Sequence, residues 1–197
     1  MSEAQGGNGD QPLINITGER VALGPLPPDS APRYLRWMND FLTIRGYDMP
    51  DPRTPDAVAE WYAHFRSTDR HVLFALYERE TMRLIGHTGL LDVDRRHRNA
   101  EFEIVIGEPD CRGKGYGGEA TRLILEYAFE RLGLESVYLR VLAFNEAGIR
   151  AYRKAGFRDA GRLRRHWFVL GRYWDMVYMD CLASEYRRTA GVGADED

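Results

Sequence analysis

Arg112-Gly113-Lys114-Gly115-Tyr116-Gly117 follows one apolar run, Phe102–Gly107, and leads into another that is amphipathic. The first run reads as a strand. The second reads as a helix, with Ala120, Leu123, Ile124, Tyr127 and Ala128 at helical spacing. Glycines at alternate positions let the backbone turn its N–H groups inward at a helix start, where the macrodipole is positive. Such a turn receives an anion, and a pyrophosphate suits it best.

Upstream of this turn, Val72–Glu78 and Arg83–Asp92 read as strands, and a polar loop at Arg95–Asn99 leads to the strand Ala100–Gly107. Further back, Leu13–Ile16 and Arg20–Leu23 are short strands. A helix runs from Asp29 or Ser30 to about Asn39. After the two-proline loop Gly46–Pro52, Thr54 caps a helix that ends near Ser67. Downstream, the helix Gly115–Leu132 stops at Gly133. The strand Val137–Phe144 alternates inward Val137, Leu139 and Val141 with outward Tyr138, Arg140 and Leu142. Asn145 then caps a short helix through Lys154 that stops at Gly156. Phe157–Leu170 and Arg172–Cys181 form a closing hairpin around Gly171. An antiparallel half followed by strand–helix–strand–helix–hairpin is an α+β fold with a mixed sheet.

The 197 residues suit one domain, expected over 12–183 between a disordered tail at 1–11 and a polar tail at 184–197. A net charge of −3 argues against a dedicated nucleic-acid binder, so no nucleic-acid partner is expected. No apolar stretch is long enough to span a membrane, and Met1–Asp10 has no secretory character. Cys111 and Cys181 lack metal-ligand spacing, so no metal is expected and a reduced cytoplasmic location is the simplest reading.

Three phosphate ligands compete for the glycine turn. A Walker A loop fails because Glu108 stands at its first glycine and Gly115 replaces the hydroxyl that holds magnesium. A dinucleotide site matches Gly113-x-Gly115-x-x-Gly118, but the next strand ends in Ala143-Phe144-Asn145 without the ribose-binding carboxylate. The third is coenzyme A. Arg112-x-x-Gly115-x-Gly117 resembles the acyl-CoA motif of the GCN5-related N-acetyltransferase (GNAT) superfamily. Ala100–Ile106 before it, Asn145–Phe157 after it and Gly171-Arg172-Tyr173-Trp174-Asp175 near the end are similar as well. The likeness spans about Arg20 to Cys181 and is nearest the branch of ribosomal-protein alanine and spermidine N-acetyltransferases.

The resemblance implies a GNAT fold: a twisted mixed sheet of about seven strands, about four helices, and a splay between the two central strands. It implies acetyl-CoA as co-substrate and an amine as acceptor, and it allows for a homodimer. On this likeness Val105, Ile106 and Gly107 offer backbone to the pantetheine arm and the thioester. Arg112, Gly113, Lys114, Gly115, Tyr116, Gly117 and Gly118 hold the pyrophosphate, and Asn145 and Lys154 hold the rest of the donor. Tyr152 protonates the departing thiolate. Asn145 and Tyr152 are seven residues apart, so they share one helix face about 10.5 Å apart along the axis. A phenol of pKa about 10 giving a proton to a thiolate of about 8.5 is energetically reasonable.

An aliphatic amine of pKa about 10.4 is neutral about once in 2,500 at pH 7, a cost of about 4.6 kcal/mol, so a base is useful. Glu101 and Glu103 face the same way on one strand and are the candidates. His87, in Gly86-His87-Thr88-Gly89, reads more readily as a structural histidine. Asp48 and Asp51 lie on a loop that could shape the acceptor site. Two basic clusters, Arg95–Arg98 and Arg162–His166, read as solvated faces. The acceptor stays open between a polyamine, a protein N-terminus and another small amine. A non-catalytic acyl-CoA sensor is the alternative to an enzyme.

Overall fold

In the computed structural model, residues 11–47, 51–67 and 69–190 are described. Residues 1–10 and 191–197 of the expected tails, and Asp48, lie outside them. One sheet runs in the order β1 (Ile16–Thr17), β2 (Val21–Gly24), β3 (Val72–Glu78), β4 (Arg83–Asp94), β5 (Asn99–Ile106), β6 (Ser136–Leu142), β8 (Arg172–Leu182), β7 (Arg158–Val169). The helices are α1 (Ala31–Asn39), α2 (Pro55–Ser67), α3 (Tyr116–Glu126), α4 (Glu146–Ala155) and α5 (Ala183–Ala190).

The expected α+β mixed sheet is present, with two corrections of number among the described residues: eight strands where about seven were expected, and five helices where about four were. The extra helix is α5, which takes up residues read from sequence as a polar tail. The helix after the glycine turn is α-helical to Glu126 and widens into a π turn at Tyr127–Arg131 before the left-handed Gly133. Leu142, expected to face outward, is buried as well, on the face of β6 opposite Val141.

Two apolar layers sit on the two faces of the sheet. Beneath α3 and α4, Phe102, Ala120, Ile124, Leu125, Phe129, Leu139, Phe157 and Met179 form the larger core. On the other face, α1 and α2 bury Tyr34, Trp37, Met38, Val58 and Tyr62 against Ala22, Ala75, Tyr77 and Leu84. These helices form because their apolar residues recur at helical spacing, and only one stripe of each can be buried.

Among the described residues β5 and β6 are the one parallel pair, and they pair only at Asn99↔Ser136, Ala100↔Val137 and Glu101↔Tyr138. Beyond Glu101 they diverge. β5 keeps an unbroken register with β4 from Leu91↔Glu101 to Gly86↔Ile106, so its far edge from Phe102 onward is left without a strand partner. That wedge is the expected splay, and it opens toward the glycine turn.

Candidate active site

The free edge of β5 decides which backbone groups are available. Gly107 N–H donates to the Ile85 carbonyl at 2.8 Å, and Glu103 C=O accepts the Thr88 hydroxyl at 2.9 Å, so both point into β4. The Val105 carbonyl points the same way, lying 1.9 Å from where a Cβ on Gly86 would be. The carbonyls facing the wedge are therefore Ile104, which accepts Tyr47 Oη at 3.3 Å, and Ile106, which accepts Arg112 Nε and Nη2 at 3.2 Å each. Of the backbone groups expected there, Ile106 faces the wedge, while Val105 and Gly107 face β4. Ile104 joins the wedge unanticipated. Gly107 has a packing reason instead: a Cβ would sit 2.2 Å from the Trp37 ring.

At the mouth of the wedge, Gly113 and Gly115 take left-handed φ of +74° and +87°. A Cβ would be strained at either position. Gly115 occupies the N-cap of α3 and offers no capping side chain, so the first N–H groups of the helix remain open to a ligand. Arg112, Gly113, Lys114 and Gly115 are exposed. Tyr116, Gly117 and Gly118 are half-buried, and the Tyr116 hydroxyl donates to Glu78 at 2.6 Å. Buried Glu119 ties this helix start to β2 by accepting the N–H groups of Arg20 at 2.9 Å and Val21 at 3.4 Å.

Across the wedge stands α4. Asn145 Oδ1 accepts Gly148 N–H at 3.0 Å, so the expected cap is present. Gly148 allows it, since a Cβ there would lie 2.6 Å from the Asn145 amide. Tyr152 packs on Phe102 and Phe157, with ring centroids 6.0 and 6.1 Å away. Burial alone pushes its phenol up to about 12. Lys154 is exposed on the last turn, away from the stripe that packs on the core.

The two β5 carboxylates are half-buried and held differently. Glu101 is gripped in bidentate fashion by Arg140 of β6, Nε at 2.7 Å and Nη2 at 3.1 Å. Glu103 contacts His87 Nε2 through Oε1 at 3.2 Å. Tyr47 lies between these groups and α4. Its phenol is pushed well above 10 by burial first, then by Glu103, Tyr152 and Glu101.

Several contributors had no local signal. Glu108 is buried and binds Arg36 of α1, Arg83 of β4 at 2.8 Å and Trp37 Nε1 at 3.1 Å, which fixes the start of the glycine turn. The segment 40–47 crosses the wedge. Arg112 Nη2 donates to Thr43 Oγ1 at 2.6 Å, Thr43 donates to Asp40, and Arg45 sits 5.5 Å over the Phe144 ring. The bonds from α1 to Glu108, the Arg112–Thr43 bond and the Arg45–Phe144 contact join residues about seventy or more positions apart, so no short-range pattern reveals them. The Arg95–Arg98 cluster, by contrast, is a turn fastened by Asp94 and Gly133. Asp51 is exposed. Cys111 is buried, and burial raises its thiol, so no nucleophilic role is indicated.

A splayed parallel pair, a left-handed glycine turn at a helix start and a tyrosine-bearing helix opposite define a CoA-dependent acyltransferase. The Acetyltransferase (GNAT) domain family matches residues 20–158, and the chain belongs to that family. Spermidine N(1)-acetyltransferase of Escherichia coli is 37% identical over 84% of this chain and 88% of its own length. The Vibrio cholerae enzyme of the same name is 32% identical over 78% and 88%. The crystal structure of spermidine N-acetyltransferase from Vibrio cholerae in complex with CoA and spermine superposes with a TM-score of 0.78 at 27% identity, covering 85% of this chain and 98% of that one. The protein is thus an N-acetyltransferase that uses acetyl-CoA and an amine acceptor. Among the described residues, no helix is long and apolar enough to cross a membrane.

Proposed function

We propose that the protein transfers acetyl from acetyl-CoA directly to a primary amine of a polyamine of the spermidine class. The observation that carries this is the free edge of β5, Ile104 and Ile106, lying between the left-handed glycine turn and Tyr152. The wedge fits a pantetheine arm: two carbonyls turned toward it accept side-chain donors that an amide could replace, and open helix N–H groups lie at its mouth. Acetyl-CoA supplies an activated acyl group when bound. Gly113–Gly117 and the first turn of α3 hold its pyrophosphate, β5 orients its arm, and Asn145 adds an amide at the start of α4.

Tyr152 holds the proton that the departing sulfur takes. A phenol at about 12 stays protonated throughout the working pH range. The desolvation that raises it also raises a thiolate in the same wedge, which keeps the transfer feasible. The polyamine assignment is supported by two half-buried carboxylates facing the acceptor side and by the similarity to spermidine N-acetyltransferases.

The test is an acceptor screen with acetyl-CoA that follows free thiol release over polyamines, aminoglycosides and N-terminal peptides. Spermidine or spermine is expected to give the highest kcat/KM. Turnover confined to peptides or aminoglycosides overturns the polyamine assignment, and acetyl-CoA binding without acetylation of any amine favours a sensor.

A further inference from the structure

We infer that Glu103, and not Glu101, takes the proton from the acceptor ammonium, and that buried His87 is the residue that positions it. The inference rests on the chain being an amine acetyltransferase, but not on which amine it prefers.

Glu101 and Glu103 point the same way from β5, yet their partners set opposite chemistry. Both oxygens of Glu101 are held by the Arg140 guanidinium, so neither is free to meet an incoming ammonium. Glu103 faces no guanidinium or ammonium among the described residues. Its Oε1 meets His87 Nε2, and its Oε2 has no partner there. A neutral imidazole donates one hydrogen bond, which orients the carboxylate and leaves its second oxygen open.

His87 is built for that task. It is buried, with its ring 5.4 Å from Tyr34 and 5.8 Å from Trp61, and its Nδ1 has no partner among the described residues. An ionised Glu103 requires the proton on Nε2, so the tautomer is set by the contact itself. The titratable groups around Glu103 are His87 on β4, Glu101 on β5, Tyr34 on α1 and Tyr47 on the crossing segment, with Tyr152 of α4 beyond Tyr47. The step balances. The ammonium N–H bond breaks and its proton passes to Glu103 Oε2. The amine lone pair forms the C–N bond as the C–S bond breaks. The second nitrogen proton leaves as sulfur takes one from Tyr152, which is thereby replenished. Glu103 returns its proton to solvent.

The test compares Glu103→Gln, Glu101→Gln, His87→Phe and His87→Gln on the best amine from the screen. Glu103→Gln is expected to lower kcat by about 100-fold or more and to abolish the acid limb of the kcat/KM profile, with acetyl-CoA affinity unchanged by calorimetry. Glu101→Gln should keep the acid limb of the kcat/KM profile, whatever it does to acceptor KM. His87→Phe should lower kcat about tenfold at unchanged KM and move the acid limb to higher pH, with part recovered in His87→Gln. Nitrogen NMR of the wild type should show the proton on Nε2 of His87, a readout that needs no turnover. The inference is overturned by a proton on Nδ1 alone, or by loss of the acid limb in Glu101→Gln but not in Glu103→Gln. A shift of preferred amine away from polyamines leaves it standing and sinks only the polyamine assignment.

Discussion

The donor side and the acceptor side of β5 are made of different materials. The donor side is mostly backbone: carbonyls at Ile104 and Ile106, left-handed glycines at 113 and 115, and helix N–H groups behind them. Most of it comes from one stretch of about fifteen residues. The acceptor side is mostly side chains, gathered from α1, α2, β4 and β5. Tyr34 stacks against Trp37, Tyr62 and His87 at 5.0–5.5 Å, and His87 in turn reaches Glu103. On the proposed assignment, the backbone groups recognise the donor, which does not change. Side chains can be exchanged one at a time without moving the sheet, so acceptor choice can drift while donor binding stays.

The largest expected effect tests the backbone half. Gly115→Glu puts a side chain at φ +87° and a negative charge at the phosphate turn. Calorimetry should show acetyl-CoA affinity reduced by about 100-fold or more, from roughly 3 kcal/mol of strain and repulsion; unchanged affinity would falsify the assignment of the turn. Next comes Tyr152→Phe, which is expected to bind acetyl-CoA normally and lose about 100-fold or more in kcat. An unchanged kcat removes Tyr152 as the acid.

Gly107→Ala separates packing from ligand binding on the same strand. Its Cβ would meet the Trp37 ring at 2.2 Å, so thermal unfolding should show a loss of about 1–3 kcal/mol. Loss of acetyl-CoA affinity without loss of stability would contradict the packing role.

Burial pushes Cys181 from 9.0 up to about 12, so the folded state holds a proton that the unfolded chain releases first. Its contribution to stability is therefore present below about pH 9 and lost as pH rises toward 12. Neither Cys181 nor buried Cys111 should react with a thiol reagent at pH 8 in the folded protein; prompt labelling would contradict it.

The smallest effect belongs to the segment joining the two sides. Thr43→Val removes the hydroxyl that accepts from Arg112, and amide exchange over Ile44–Tyr47 should quicken by about two- to tenfold. Unaltered exchange would mean that the segment is held by other contacts.

Much of the fold was legible because its signals are local. The glycine turn, the Asn145 cap and the Gly156 stop lie within a few residues of the hydrogen bonds they make. The misses share one cause. Leu142 alternates as an outward residue but is buried on the second face of the sheet, and the polar composition of α5 hid a helix that packs by Tyr186 on Phe129. At the site, spacing places Asn145 and Tyr152 on one helix face and Glu101 and Glu103 on one strand face. Tyr47, Glu108 and the partners that distinguish Glu101 from Glu103 were not legible in this way. The face shared by the two glutamates follows from strand period alone, whereas Arg140 reaches Glu101 only because β6 runs parallel beside β5 before diverging.

The sequence by itself determined where the chain turns and where its helices are capped, because φ preferences and helix-end hydrogen bonds act over three or four residues. Tertiary structure decided which carbonyls of β5 face the wedge, which carboxylate keeps an unengaged oxygen and which aromatic rings enclose His87. Those depend on register and on side chains brought together from distant parts of the chain, and the energy of such contacts exists only once the sheet has closed around them.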